Sequence, residues 1–207
     1  MQKRSGAFPA DLPPVRLAEA YPPLRVAGKN AAYAQMMLDN LGGGNSEMTA
    51  AAAYFYAGLM LPPQNPTLIF ACRELERCEV EHARLFGALA RLLGADPRLW
   101  SLPCGMPVYW TPGYLAYPRT AREMLEALLE GELAAIAKYE MQVKRIRDAD
   151  IIALLQRIIQ EETQHAALLR ALQQRLDGEA QARRRAAGRG LPAAGGLRVH
   201  LGRAHAL

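Results

Sequence analysis

The strings Glu79-Val-Glu-His82 and Glu162-Thr-Gln-His165 decide the fold of this chain. Each places a carboxylate and an imidazole one helical turn apart, where the two side chains can share one ligand. Steps of three and four residues outward from each string reach an apolar residue at every position. The first series is Leu68, Cys72, Leu75, Glu79, His82, Phe86, Leu89 and Leu93, and the second is Ile151, Leu155, Ile158, Glu162, His165, Leu169, Leu172 and Leu176. We therefore predict two amphipathic helices, each with its Glu-x-x-His pair in the middle of the buried face.

Two further glutamates make the chain an internal repeat. Glu47 lies 32 residues before Glu79, and Glu132 lies 30 residues before Glu162. A tyrosine follows each earlier glutamate after seven residues, two turns along the same helical face. The two tyrosines are Tyr54 and Tyr139. If each half folds as a helical hairpin, a rise of ~1.5 Å per residue brings the four glutamates and both histidines to nearly the same height.

Four carboxylates in one buried layer require counter-charges, because each isolated buried charge costs several kcal/mol. Two divalent cations would neutralise the four carboxylates, and one imidazole per cation would complete the ligand set. We predict a dinuclear metal site with the ligands Glu47, Glu79, His82, Glu132, Glu162 and His165. Carboxylate and imidazole ligands suit Mn and Fe alike, so both metals are candidates.

The remaining pattern predicts an all-α protein, a four-helix bundle over residues 28–176. We expect helices at about 29–61, 66–93, 120–147 and 150–176. The string Gly42-Gly43-Gly44-Asn45 interrupts the first of these, with a kink, a bulge or a brief break expected there and a loop between two shorter helices as the alternative.

A connection of about 25 residues, 95–119, separates the second and third helices, and it is rich in proline, glycine and aromatic residues. Its length suits a crossover along one edge of the bundle, with the aromatic side chains anchoring it to the surface. The proline-rich residues 1–27 predict an extended arm that lies over this domain or a neighbouring subunit. Residues 177–207 lack periodicity, and we expect a basic, largely disordered tail.

Composition excludes several classes of function. The longest apolar runs are too short for a membrane-spanning helix, and no apolar stretch follows the basic N-terminus, so we expect a cytoplasmic protein, with the spore coat as the other location. The three cysteines form no Cys-x-x-Cys pair, which argues against disulfide, zinc-ribbon or rubredoxin-type sites. Residues 177–207 contain six arginines and two acidic residues, a charge of +4 out of the total +5. The basic character therefore belongs to the tail, and no nucleic-acid partner is expected.

Several other polar residues stand near the predicted ligands. Glu76, Glu81, Glu130, Glu140 and Glu161 lie off the buried faces, so we expect them to face solvent, although Glu76 is close enough to be an extra ligand. Tyr54 and Tyr139 are either core aromatics or hydrogen-bond donors to the ligands.

Residues 38–51, Leu-Asp-Asn-Leu-Gly-Gly-Gly-Asn-Ser-Glu-Met-Thr-Ala-Ala, resemble the Leu-Gly-Gly-x-Asn-Gly-Glu-Leu-x-Ala-Ala segment of manganese catalases and their spore-coat relatives. The Tyr21-Pro22 arm is similar as well, and residues 28–176 resemble the ferritin-like di-metal superfamily. The resemblance implies that Glu79 bridges two metals and that Glu47 and Glu132 are terminal ligands. It also implies one metal for each histidine. For Glu162 it implies either a second bridge, as in ferritin and rubrerythrin relatives, or a catalytic acid–base group, as in manganese catalases.

The leading functional hypothesis is disproportionation of hydrogen peroxide to water and dioxygen at a dinuclear site. The alternative enzyme is a rubrerythrin-type di-iron peroxidase or ferroxidase, acting on peroxide or dioxygen. The absence of a Cys-x-x-Cys electron-transfer module favours the self-contained catalase cycle. Iron storage in a ferritin-like shell and a structural role in the spore coat are hypotheses of another class, and we expect a homo-oligomer.

Overall fold

The computed structural model describes residues 8–189, and this part of the chain contains five α-helices. They are α1 (Ala31–Gly42), α2 (Glu47–Met60), α3 (Pro66–Leu92), α4 (Ala121–Arg145) and α5 (Ala149–Arg189). Helices α1 and α2 together form the first rod of a four-helix bundle. Helix α3 packs against both of them, and α4 packs against α5 as the second hairpin. The prediction of an all-α four-helix bundle is confirmed.

The single helix predicted over residues 29–61 is in fact two helices. The side chain of Asn30 caps the start of α1 by accepting from the Tyr33 N–H, and Ser46 caps α2 by accepting from the Thr49 N–H at 3.3 Å. At Gly42 a Cβ atom would lie 2.7 Å from the backbone nitrogen of Trp100, so the chain needs glycine for this close approach. The glycine string is therefore a real break, set by a contact from another part of the chain.

The connection between the hairpins, residues 93–120, crosses one edge of the bundle as predicted. It contains two short antiparallel strands, β1 (Trp100–Ser101) and β2 (Val108–Tyr109). The indole N–H of Trp110 donates to Thr49 Oγ1 at 3.0 Å, and the Tyr56 hydroxyl donates to the Pro118 carbonyl at 3.1 Å. Aromatic side chains thus anchor the crossover to α2.

Helix α5 continues well past the predicted end at residue 176. It extends to Arg189, so residues 177–189 of the expected disordered tail are helical, and residues 190–207 lie outside the described part of the chain. A glycine within a helix costs ~1 kcal/mol, but the alanines and arginines around Gly178 are strong helix formers. Glu179 also stands within 4 Å of Arg175 and Arg183, each one turn away.

The core consists of two apolar clusters on either side of a polar layer. One cluster contains Met37, Leu38, Phe86, Leu89 and Leu155, and the other contains Leu68, Leu75, Met124, Leu125 and Leu169. The predicted ligand residues lie between the two clusters, buried from solvent. The layer is therefore held in place by packing above and below it.

Residues 8–27 of the proline-rich arm pack against the bundle of their own chain. The Ala27 N–H donates to Asp148 Oδ2 at 2.7 Å, and the guanidinium of Arg157 donates to the Glu19 carbonyl at 2.6 Å. This part of the arm therefore runs along α5, over the layer of predicted ligands. Among residues 8–189, no helix has the length and apolar character needed to cross a bilayer.

Candidate metal centre

Six buried side chains meet in one layer of the bundle, each from the helix that the sequence predicted. Glu47 opens α2, Glu132 lies in the middle of α4, and the two Glu-x-x-His pairs lie in α3 and α5. They form two overlapping groups of possible ligand atoms, each within 4.8 Å. The groups are Glu47, Glu79, His82 and Glu162, and Glu79, Glu132, Glu162 and His165.

The two groups are related by a pseudo-twofold arrangement. His82 Nδ1 lies 3.4 Å from Glu79 and 2.9 Å from Glu162. His165 Nδ1 lies 3.0 Å from Glu79 and 2.9 Å from Glu162. A third glutamate lies 3.8 Å from each Nδ1 atom, and it is a different residue for each histidine. It is Glu47 for His82 and Glu132 for His165. Glu79 and Glu162 are thus equivalent in position, and both stand between the two histidines.

The residues of this layer fit a pair of metal ions. Both carboxylate oxygens of Glu79, one oxygen of Glu162 and the Nδ1 atom of His82 are fully buried without a hydrogen-bond partner. The Glu162 oxygen and His82 Nδ1 are 2.9 Å apart but lack hydrogen-bond geometry. Buried polar atoms are nearly always satisfied, so unpartnered oxygens and nitrogens that converge on one point are what a cation site requires. Carboxylate and imidazole donors together suit Mn or Fe.

The two tyrosines bind the terminal glutamates crosswise. The Tyr54 hydroxyl of α2 donates to Glu132 of α4, and the Tyr139 hydroxyl of α4 donates to Glu47 of α2. All four side chains are buried. Each hydroxyl fixes the orientation of a carboxylate and leaves its second oxygen for another partner.

Glu161 is buried, contrary to the expectation from the sequence. It was predicted to face solvent, but it is 2% exposed, and one of its oxygens lies 3.1 Å from His82 Nε2. Three groups hold its carboxylate: the Leu17 N–H, the Tyr21 hydroxyl and the Arg157 guanidinium. Leu17 and Tyr21 belong to the arm, which buries this side of α5. A carboxylate on the far nitrogen of a ligand histidine orients the ring and makes it more basic.

His165 has different partners on its far side. Its Nε2 atom lies 3.1 Å from the carbonyl oxygen of Val15, also in the arm. Its pKa is lowered by burial, but the neighbouring Cys78, Glu162 and Glu79 outweigh that effect and raise it well above the ordinary value. Cys78 precedes Glu79 in the chain just as Glu161 precedes Glu162. The repeat therefore places a thiol in the first half where the second half has a carboxylate.

Without metal, the pKa values of the buried glutamates and histidines in this layer are strongly shifted. Burial and the charge of Glu162 raise the pKa of Glu47 to about 8, and burial with the charge of Glu79 raises the pKa of Glu132 well above its ordinary range. Burial also raises the pKa of Glu162, but the two neighbouring imidazoles outweigh it and leave that pKa below its ordinary range. Burial lowers the pKa of His82, but the charge of Glu162 outweighs it and raises this pKa well above 6.5. These shifts favour protons on Glu47, Glu132 and both imidazoles of the metal-free layer, and an ionised carboxylate at Glu162.

A cavity of about 350 Å³ reaches the layer from the side opposite the arm. It lies between α2 and α4, beneath residues 114–118 of the crossover, and Glu47, Tyr54, Glu79 and Glu132 line it. Solvent-exposed residues such as Tyr117 and Gly131 also line it, so the cavity opens to the surface. The site is covered by the arm on the histidine side and accessible on the side of the terminal glutamates.

The structure brings all six predicted ligands and both predicted tyrosines together. Of the remaining acidic residues near the strings, Glu130 and Glu140 are exposed and Glu76 and Glu81 are partly exposed. Among the residues described, neither potential ligand group contains Glu76. No feature of the local sequence distinguishes Glu161 from these, because its burial depends on the arm.

Comparison with known proteins supports the fold. No protein-family model matches the chain, and a search of curated proteins also found no match. Solved structures do match: the wild-type KatB manganese catalase from Anabaena has 18% sequence identity and a TM-score of 0.69, over 78% of this chain and 80% of that one. A second structure of KatB, from Anabaena PCC7120, has 18% identity and a TM-score of 0.70 over the same shares. The chain therefore has the ferritin-like fold of these manganese catalases.

Proposed function

We propose that this protein is a dinuclear metal enzyme that disproportionates hydrogen peroxide to water and dioxygen. The observation that carries the proposal is the pair of overlapping ligand groups, which share Glu79 and Glu162 and contain unpartnered buried atoms. The fold shared with a manganese catalase agrees with this activity. Manganese and iron both suit the donor atoms, and manganese is the first choice because of that likeness.

In this proposal, His82 and His165 each bind one metal through Nδ1, since each ring has its Nε2 atom occupied by an outer partner. Glu47 and Glu132 would each hold one of the metals, and Glu79 would hold both. We assign Glu162 as a second bridging ligand, because its two oxygens face the two histidines in the same way as those of Glu79. Two bound metal ions would store the two electrons that one peroxide molecule gives up and the next one accepts.

The residues of the chain supply the path for substrate and protons. Peroxide reaches the layer through the cavity between α2 and α4, because the arm covers the opposite side. At the inner end it meets the hydroxyl of Tyr54, hydrogen-bonded to Glu132. This pair holds a proton next to the substrate and can pass it to an oxygen atom that becomes water. The apolar core on both sides of the layer closes it to water from those two directions, so the cavity is the route for solvent as well as substrate.

The experiment is an oxygen-electrode assay on Mn-loaded, Fe-loaded and metal-free protein, with metal analysis of each sample. One dioxygen per two molecules of peroxide, without added reductant, is expected from the metal-loaded protein only. Glu79→Gln should lower this activity on the order of 100-fold or more, since it removes a ligand of both metals. Glu140→Gln, exposed on α4, is the matched control.

Two outcomes would contradict the proposal. Oxygen evolution by metal-free protein at the rate of the loaded protein would remove the metal from the reaction. Peroxide consumption that depends on an added reductant would instead indicate the di-iron peroxidase alternative.

A further inference from the structure

The cavity between α2 and α4 is much larger than hydrogen peroxide needs. Its volume of about 350 Å³ would hold on the order of ten water molecules, given ~30 Å³ for each water in the liquid. Peroxide has only two heavy atoms. The volume instead falls at the lower end of the ~300–1,000 Å³ range that is typical of small-molecule sites.

Small side chains on both helices create this space. The wall formed by α2 contains Ala53 and Ala57, and the wall formed by α4 contains Ala127, Gly131 and Ala134. A Cβ atom added at Gly131 would meet nothing within 4 Å. These small residues leave room between the two helices, and the walls are mainly apolar.

The inner end of the cavity is polar, in contrast to its walls. Glu79 is among the residues that line it, and both of its carboxylate oxygens are fully buried without hydrogen-bond partners. The hydroxyl of Tyr54 and the carboxylate of Glu132 lie at the same end. A ligand that fits this shape has one small polar end and an apolar group of several carbon atoms.

The charge of the layer favours a neutral polar end. Four carboxylates and two divalent cations cancel, so an anionic head group would add an uncompensated charge in a buried site. A hydroperoxide group is neutral, and it contains the same O–O bond as hydrogen peroxide.

We propose that this cavity binds small organic hydroperoxides, with the O–O group at Glu79 and the organic group between α2 and α4. The proposal rests on the proposed function, since it extends the substrate class of the same site. Its reaction is ROOH + H₂O₂ → ROH + H₂O + O₂. The O–O bond of the hydroperoxide breaks and takes up two electrons and two protons, while hydrogen peroxide loses two electrons and two protons and leaves as dioxygen.

Binding can be measured apart from turnover. Cumyl alcohol, the product expected from cumene hydroperoxide, is titrated into metal-free and metal-loaded full-length protein by calorimetry. We expect saturable binding to both forms, weakened at least tenfold by Gly131→Phe and, from the opposite wall, by Ala53→Phe. Leu133→Phe is the matched control on α4, because Leu133 is exposed and does not line the cavity.

Turnover is then measured on the Mn-loaded proteins with cumene hydroperoxide and hydrogen peroxide together, and with hydrogen peroxide alone. Wild-type protein should form cumyl alcohol. The ratio of kcat/KM for cumene hydroperoxide to that for hydrogen peroxide should fall at least tenfold in Gly131→Phe and Ala53→Phe, and stay the same in Leu133→Phe.

The results separate this inference from the proposed function. Dioxygen release from hydrogen peroxide, with no binding of cumyl alcohol and no loss of cumene hydroperoxide, would overturn the inference alone. Binding of cumyl alcohol without turnover of either peroxide would mean that the proposed function fails, and the hydroperoxide assignment with it. A tenfold loss of binding in Leu133→Phe as well would show that the cavity is not the binding site.

Discussion

The Nε2 atom of His82 lies 3.1 Å from a carboxylate oxygen of Glu161. The equivalent atom of His165 has a neutral partner at the same distance, the backbone carbonyl of Val15. A carboxylate makes the ligand imidazole more electron-rich than a carbonyl does, so two metals bound here would be chemically unequal. Both partners depend on the arm, which supplies Val15 itself and the groups that hold Glu161.

Glu161→Gln should weaken metal binding at the His82 position by about 10- to 100-fold, because it removes the charge behind that ligand. The His165 position should change much less. Equilibrium dialysis with Mn²⁺, followed by metal analysis, gives the two dissociation constants. They should differ more in Glu161→Gln than in the wild type. The exposed Glu140→Gln variant should bind like the wild type. Equal weakening at both positions would contradict the assignment of one outer partner to each histidine.

Glu162→Gln tests whether Glu162 is a ligand or an acid–base group. As a shared ligand it should behave like Glu79→Gln, with fewer than two metals bound per chain and lower activity. As an acid–base group it would keep both metals and lose only turnover. Metal analysis at saturating Mn²⁺, next to the oxygen assay, separates the two roles, and two tightly bound metals in Glu162→Gln would refute our assignment.

Loading the site should release about four protons at pH 7. The pKa of Glu47, Glu132 and both histidines is raised in the metal-free layer, so we expect each to hold a proton that the two divalent cations would replace as the counter-charge. Calorimetry of Mn²⁺ binding in buffers of different ionisation enthalpy gives this number directly. Release of one proton or none would show that the buried layer is balanced in some other way.

The metal-free protein should lose stability as pH rises from about 5 to 8. The pKa of Glu47 is 4.5 in the unfolded chain and about 8 in the folded one, so the folded form holds a proton that the unfolded form releases in this range. The raised pKa values of both histidines act in the same direction above 6.5. Urea unfolding should show a fall of at least about 2 kcal/mol. The Mn-loaded protein, whose ligands have given up their protons, should show a much smaller fall.

Gly42→Ala should destabilise the protein by about 1–3 kcal/mol, because the new methyl group would lie 2.7 Å from the Trp100 backbone nitrogen. Neither the helix nor the crossover can move away without disturbing the other. Gly44→Ala is the matched control, since its Cβ meets only the Tyr114 ring at 3.8 Å. Thermal unfolding would compare the two, and equal midpoints would contradict the close approach.

The site itself was predictable because its residues interrupt regular apolar patterns. A glutamate or histidine in the middle of a buried helical face needs a partner, and Glu47, Glu79, Glu132 and Glu162 fall at one height by simple counting. Helix periodicity is a local property, and the bundle follows from it. The pairing of Tyr54 with Glu132, across the two halves, required the packing of α2 against α4.

The remaining features depend on contacts that no local pattern encodes. Glu161 directly precedes Glu162, so it lies off the face of α5 that is buried in the bundle. It is buried only because the arm covers that side of the helix. The break after Gly42 depends on the approach of Trp100 from the crossover. Helix α5 passes through Gly178, where an added Cβ atom would meet nothing within 4 Å, so local helix propensity carries the helix past this glycine.

Each half of the site takes one hydrogen-bond partner from the other hairpin, so neither hairpin can form half of the site by itself. A fragment containing only α2 and α3 would have Glu47 without the tyrosine hydroxyl that orients it. Tyr54 would lack the carboxylate that accepts its hydrogen bond. Two copies of such a hairpin, facing each other, would supply both missing partners. One chain therefore supplies what two copies of a hairpin would otherwise have to supply, and its two halves need not be identical, as Cys78 and Glu161 show.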